Sequence, residues 1–353
     1  MADDSALVLP RALGEAPARG RIRAVPEDFR VDEVLGFEAD GDGTHGLLVV
    51  EKRGANTGWV AARLAQCAGV DSREVGCSGH KDRHAVTTQA FSVPLRHGFD
   101  VAQCLGWQGE GWRVVAGVRH GRKLRPGTHR ANRFELTLRE LHGDRAAIES
   151  HLASIRAVGV PNYFGPQRFG RDGSNLRRAR DWAAEVRDSP RDRRQRGFAL
   201  SAARGFLFNE VLAERVRRGD WNRLLPGEAV VLDGRRSFFH ASAIDEELTQ
   251  RCASMDVHPS GPLSGSGGSP ATDSALAVEE AALADHAALA ELLVRERLAH
   301  ERRSLRLPVR EFDWTFRADD LLVMQFTLPR GTFATAVLHE LLADAWDAGD
   351  DEE

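Results

Sequence analysis

At 353 residues, with 42% hydrophobic and 28% charged positions, the chain has the make-up of an ordinary globular protein with room for two cores of ~100–200 residues each, which excludes fibrous, disordered and membrane-embedded classes. The opening MADDSALVLPRALG is acidic first and is broken at Pro10, so it fits neither a secretory signal nor a spanning helix, and a cytoplasmic protein without membrane attachment is expected. The net charge of −4 conceals an uneven distribution, because the last fourteen residues alone carry seven acids.

In chain order, residues 20 to 53 alternate apolar and polar positions and are split by the turn-forming run Asp40 to Gly43, which predicts strands joined as a hairpin or meander. Val60, Leu64 and Cys67 at helical spacing follow, with Asn56 or Thr57 as N-cap and Gly69 as a stop. A short strand then leads into the polar run Gly79-His80-Lys81-Asp82-Arg83-His84, and an alternating strand resumes through Val86, Gln89, Phe91 and Val93. Charged residues confined to a tight loop between two strands point to a site, because rigid scaffolds carry their chemistry on loops. The segments WRVVAGVRH and ANRFELTLREL are strand-like and flank a turn at Pro126–Gly127. From about Gly159 the texture becomes helical, with patterns in RRARDWAAEV and SAARGFLFNEVLAERVRRG, a flexible loop expected over Ser260 to Pro270, and an Ala/Leu stretch from Ala275 to Arg303 long enough for two helices. Strand texture returns over 306–328, and TFATAVLHELL after Pro329–Arg330–Gly331 predicts a closing helix.

Positive charge is concentrated and rich in arginine. Between Arg113 and Glu135 seven Arg or Lys, among them Arg122, Lys123, Arg125 and Arg130, face a single acid; from Arg168 to Arg196, Arg171 included, ten arginines face five acids. From Arg295 to Arg310 six arginines face two acids. Guanidinium forks grip phosphate bidentately and stack on bases, so these windows suit an RNA surface. The loop Asn162 to Leu176 interleaves Tyr163, Phe164 and Phe169 with Arg168 and Arg171, a pattern suited to stacking plus phosphate contact, or to an interdomain hinge. The four cysteines, Cys67, Cys77, Cys104 and Cys252, form no C-x-x-C pair, which argues against zinc and disulfides and for buried reduced thiols.

The run around Asp82 admits several readings. His80 and His84 have i, i+4 spacing, but Lys81 stands where a zinc-protease motif needs Glu, so no metal is expected. A surface salt-bridge cluster remains open. The functional alternative is a carboxylate kept in its charged form by Lys81 and Arg83, as a nucleophile or base acting on a sugar must be. A hydrolase of this kind would need a second acid, for which Asp71 and Glu74 are near in sequence.

Seven segments in order resemble the TruD-type pseudouridine synthases that act on transfer RNA: PEDFRVDEVL, VEKRGANT, GHKDRHAVTTQ, ANRFELTLR, VPNYFGPQRFGRDGSNL, SAARGFLFNEVLA and FTLPRGTFATAVLHELL, a resemblance that covers the chain from about Arg21 to Leu342. The resemblance implies an α/β chain of the α+β type, in which a catalytic domain with a mainly antiparallel sheet (1–157 and 305–353) is interrupted by an inserted α/β domain (158–304). It implies isomerisation of a uridine, at position 13 of transfer RNA, with Asp82 as the catalytic carboxylate and Phe29, Asn132, Phe134 and Phe333 as substrate contacts. Phe134 stands where other pseudouridine synthases place a tyrosine. Ala131 departs from the glycine that related sequences carry before this asparagine. No cofactor is expected, since isomerisation needs no redox agent, and a monomer is the default. The alternative from another class is a non-catalytic protein that binds structured RNA.

Overall fold

The computed structural model describes residues 9–96 and 100–344. Most of the acidic C-terminal run lies outside the described residues. The chain divides into two compact units, one made of 19–142 and 310–331, the other of the described parts of 1–18, 143–309 and 332–353.

The first unit is built on a ten-stranded sheet. In chain order it carries β1 (Ala18–Arg21), β2 (Phe29–Val34), β3 (His45–Arg53), helix α1 (Thr57–Ala68), β4 (Gly76–Cys77), β5 (Val86–Pro94), the short α2 (Val101–Cys104), β6 (Gln108–Gly109), β7 (Trp112–His120) and β8 (Ala131–Gly143), and later β16 (Arg310–Ala318) and β17 (Leu321–Pro329). The strand order is β16-β17-β8-β2-β5-β3-β7-β6, with β1 on β8 and β4 on β5. Pairs along this path are antiparallel except β2–β5, which is parallel.

The hairpin expected over 20–53 is therefore corrected: β5 lies between β2 and β3. A two-residue turn would force its strands to be neighbours, whereas the connection 35–44 is long enough to pass a third strand. Helix α1 starts behind Asn56 and stops at Gly69, whose φ of 65° is the left-handed conformation glycine adopts without strain. Val60 and Leu64 pack on Leu48, Val50, Phe91 and Val93, the inward residues of β3 and β5. Cys67 is exposed, against the expectation of buried thiols, because its position on α1 faces away from that core.

The second unit contains α3 (Arg145–Val158), β9 (Val160–Pro161), α4 (Ser174–Ala183), α5 (Arg193–Arg217), β10 (Glu228–Leu232), β11 (Phe238–Ala241), α6 (Glu246–Ala253), β12 (Val257–His258), β13 (Ser260–Leu263), α7 (Asp273–Leu283), α8 (Ala287–Arg295), β14 (Glu301–Ser304), β15 (Arg306–Leu307) and α9 (Ala334–Leu341). Helix α3, which the sequence reading passed over, begins where Asp144 accepts from the backbone N–H of Ala147. Residues 260–263 are strand rather than flexible loop. They pair with β14, where the helical stretch was expected to continue. Their small side chains reflect close packing: a Cβ on Gly261 would come within 2.8 Å of Leu305 and 3.1 Å of Phe208. The core of this unit is aromatic, with Phe164, Phe206, Phe208 and Trp221 around α5.

Candidate active site

Strand alternation puts Phe29, Val31 and Glu33 of β2 on one sheet face, opposite Leu136, Phe134 and Asn132 of β8. The same face continues through Thr87 and Gln89 of β5 to Lys52 and Val50 of β3. Five polar side chains, Glu33, Lys52, Thr87, Gln89 and Asn132, therefore stand on an inward face that is otherwise apolar, and Lys52 and Gln89, joined by Thr57 of α1, reach the loop between β4 and β5 that carries Asp82. Lys52 is fully buried at 0% exposure and donates from Nζ to the carbonyls of Ala55 and Asp82, both at 2.8 Å. Thr57, the first residue of α1, accepts the N–H of Lys81 at 3.0 Å and donates its hydroxyl to Gln89 Oε1 at 3.0 Å. Gln89 in turn donates to the carbonyl of Gly79 at 2.9 Å. The loop is also bound to the basic segment that precedes β8, through the N–H of Gly127 donating to Ser78 O at 2.6 Å.

The Asp82 carboxylate, 22% exposed, pairs with Arg23 Nη2 at 2.5 Å and accepts from its own loop through the N–H of His84 at 3.1 Å. The supporting charge differs from the expectation. Lys81 turns inward to a buried ion pair with Glu33 at 2.7 Å, and among the described residues Arg83 is exposed and makes no ion pair. Adjacent residues on a tight loop point in different directions, so closeness in sequence does not aim a cation at the carboxylate. The carboxylate receives instead Arg23, from the segment before β2, whose guanidinium also lies 4.2 Å from the centre of the Phe29 ring. Burial pushes the Lys52 ammonium down to about 8, an effect that Asp82 opposes and Lys81 reinforces. Burial, with Lys81 nearby, also lowers His129, which lies under Gly79.

Beside this loop Phe29 and Phe134 meet edge-to-face at 6.1 Å, and Phe134 stacks on Phe326 at 5.4 Å. Such pairs contribute about 0.5–1.5 kcal/mol beyond area burial and fix the rings. Asp28 anchors the group: its buried carboxylate accepts from Arg139 Nε at 2.9 Å to each oxygen and from the N–H of Val25 at 3.1 Å. That bond ties the PEDF and ANRFELTLR segments together. Asn132 is 9% exposed, and its Oδ1 has no hydrogen-bond partner among the described residues. Phe333 belongs to the other unit, where it precedes α9 and lies 6.4 Å from Phe164 between ring centres.

The basic candidates separate into two kinds. Arg122, Arg125, Arg130 and Arg171 are exposed, as is Lys123, whose ammonium bonds the carbonyl of Arg73. Arg168 is largely enclosed: it donates to Ser201 Oγ at 2.7 Å and lies 4.8 Å from the Phe164 ring centre. Tyr163, Phe164 and Phe169 are buried in the core around α5, so the expected stacking surface is corrected to a packing motif. The glycines there allow close approach; a Cβ on Gly205 would sit 3.2 Å from Arg168 and 3.3 Å from Phe164. Asp71 and Glu74, the second acids considered above, are engaged elsewhere, Asp71 with the N–H of Arg73 and Glu74 with Arg96.

Sequence reasoning missed Arg23, Lys52 and Glu33. A signal existed for two of them, since Lys52 and Glu33 occupy positions where alternation calls for an apolar residue. Arg23 carried no such mark.

Comparison with known proteins identifies the family and the fold. The chain is 48% identical over 334 residues to a tRNA pseudouridine synthase D of Methylococcus capsulatus, covering 95% of this chain and 94% of that protein. It is 46% identical over 346 residues to the protein of that name from Azotobacter vinelandii, covering 98% and 97%. A solved structure described as a tRNA pseudouridine synthase D (TruD) from Methanosarcina mazei shares the fold, with a TM-score of 0.72 at 18% identity over 96% of this chain and 97% of that one. The profile of one family matches residues 11–179 and 175–341, and the chain belongs to that family, tRNA pseudouridine synthase D (TruD).

Proposed function

We propose that this protein converts a uridine of transfer RNA, the one at position 13, to pseudouridine, with the Asp82 carboxylate as the reacting group. The observation that carries this reading is the placement of Asp82: a partly exposed carboxylate paired with Arg23, on a loop whose backbone is held by three buried side chains. A uridine must leave its stack to expose C1′ and N1. The carboxylate then either attacks C1′ or removes the 2′ proton, and both routes break the bond between C1′ and N1. The freed uracil turns and C5 bonds to C1′, displacing the Asp82 carboxylate on the first route or with the 2′ proton returned by Asp82 on the second; C5 then loses its proton and N1 gains one, so the product is an isomer and no cofactor is consumed. Asn132 Oδ1, unpartnered among the described residues, suits an N–H on the edge of the base. Phe29, Phe134 and Phe333 are assigned apolar contact with the substrate. The exposed Arg122, Lys123, Arg125, Arg130 and Arg171 are assigned to phosphates, with enclosed Arg168 supporting the loop between α3 and α4.

A catalytic domain of 1–157 and 305–353 with an insertion over 158–304, a monomeric state, a cytoplasmic setting and independence of metal complete the proposal. Its test is pseudouridine formation in unmodified transfer RNA transcripts by the wild type and Asp82→Asn, both in chelator. Conversion at one uridine by the wild type and none by a variant that still binds RNA is expected. Wild-type binding without conversion would favour a non-catalytic RNA-binding protein, and equal conversion by both would remove Asp82 from the chemistry.

A further inference from the structure

We infer that Lys52 is a positioning residue for the reaction, acting through the backbone of Asp82 rather than on the substrate; this rests on the reading of Asp82 as the reacting carboxylate. The ammonium has no exposure to solvent, and it donates to two main-chain carbonyls, Ala55 O and Asp82 O, each at 2.8 Å. Taking an ammonium out of water is costly, and a packed sheet would be served as well or better by an apolar side chain here. The neighbours on the same face, Leu48 and Val50, show what plain packing uses.

What Lys52 adds is a link between two segments that meet beside the carboxylate. Ala55 leads into α1 and Asp82 sits on the loop between β4 and β5, so one ammonium joins the start of the helix to the main chain of the reacting residue. Thr57 and Gln89 make the same kind of connection to Lys81 N and Gly79 O. Together the three side chains fix the backbone at residues 79, 81 and 82. With its carbonyl and its side chain both held, by Lys52 and by Arg23, Asp82 has little freedom to swing. A displacement of about 1 Å at a reacting group can cost on the order of a hundredfold in rate. Lys52 touches neither the carboxylate oxygens nor, on this reading, the substrate.

The experiment compares single-turnover rates and transfer RNA affinity of Lys52→Met, Thr57→Val and Asp82→Asn, with the folded fraction of each measured by thermal unfolding. Lys52→Met is expected to lose at least about tenfold in rate per folded molecule at saturating RNA, with affinity within about threefold of wild type. Thr57→Val, nearly isosteric and free of any buried charge, should show a smaller loss of the same kind. If Lys52→Met does not fold, Lys52→Gln, which is uncharged but still able to donate, takes its place in the comparison. Rates per folded molecule within about twofold of wild type in both variants, with Asp82→Asn inactive, would overturn the role of Lys52 and leave that of Asp82 standing. Activity in Asp82→Asn would instead overturn the reading on which the inference rests.

Discussion

Asn132 presents its side-chain oxygen to the inward face of β8 with no partner among the described residues, in a position where the desolvation of an amide is ordinarily offset by a hydrogen bond. Two roles make opposite demands on it. If it pairs with the base, Asn132→Ala should lower kcat/KM by about 10–100-fold, the effect of one lost hydrogen bond that forms only with substrate, while thermal stability stays level or rises. A fall in stability with unchanged kcat/KM would make it a packing residue. At this scale the sequence offered Asp82 as a candidate, as a carboxylate in a polar run between two strands, with a surface salt-bridge cluster as the alternative. Its partner Arg23 was not, since the two are 59 positions apart. Local charge pointed to Lys81 and Arg83, and the fold used Lys81 for Glu33 instead.

At the scale of elements, α9 shows how a short helix holds a distant segment. Glu340 accepts the N–H groups of Ala12 and Leu13, Arg11 donates to the carbonyls of His339 and Leu342, and His339 Nε2 meets Leu9 O at 3.1 Å. Burial, with Arg11 close by, lowers His339 from 6.5 to about 4. The unfolded chain then binds the extra proton between those two values, so stability present above pH 6.5 is lost as pH falls and the loss is complete below about pH 4. The full effect is on the order of 3 kcal/mol. Denaturant unfolding at pH 7 and pH 4.5 should show a markedly smaller acid loss in His339→Gln than in wild type. Equal losses would mean that the imidazole is not kept neutral by the fold. The helix itself was legible from its spacing, but its grip on residues 9–13 was not. The Ser/Gly run at 260–263 shows the reverse failure: composition suggested mobility where small side chains serve close packing.

Over the whole molecule the net charge of −4 would argue against a polyanionic substrate if charge were spread evenly. The exposed basic segment ahead of β8 is bonded to the Asp82 loop through Gly127 and Ser78, so local charge stands beside the carboxylate. Affinity for transfer RNA should therefore fall steeply with salt, and Arg125→Gln and Arg130→Gln should each reduce the slope of log K against log salt by about 1. Slopes equal to that of wild type would place the phosphate contacts elsewhere.

The sequence by itself determined the mixed α/β class, most strands and helices, the reacting-loop candidate and, through seven ordered segments, the family. These are properties of neighbouring residues, since periodicity, caps and turn chemistry act over a few positions. Only the tertiary structure decided that β5 passes between β2 and β3, that Arg23 rather than Lys81 or Arg83 meets Asp82, and that Lys52 and Glu33 hold the loop that carries Asp82, through its carbonyl and through Lys81. Such choices depend on which strands become neighbours across dozens of residues, and a local pattern of alternation is the same whichever neighbour a strand takes.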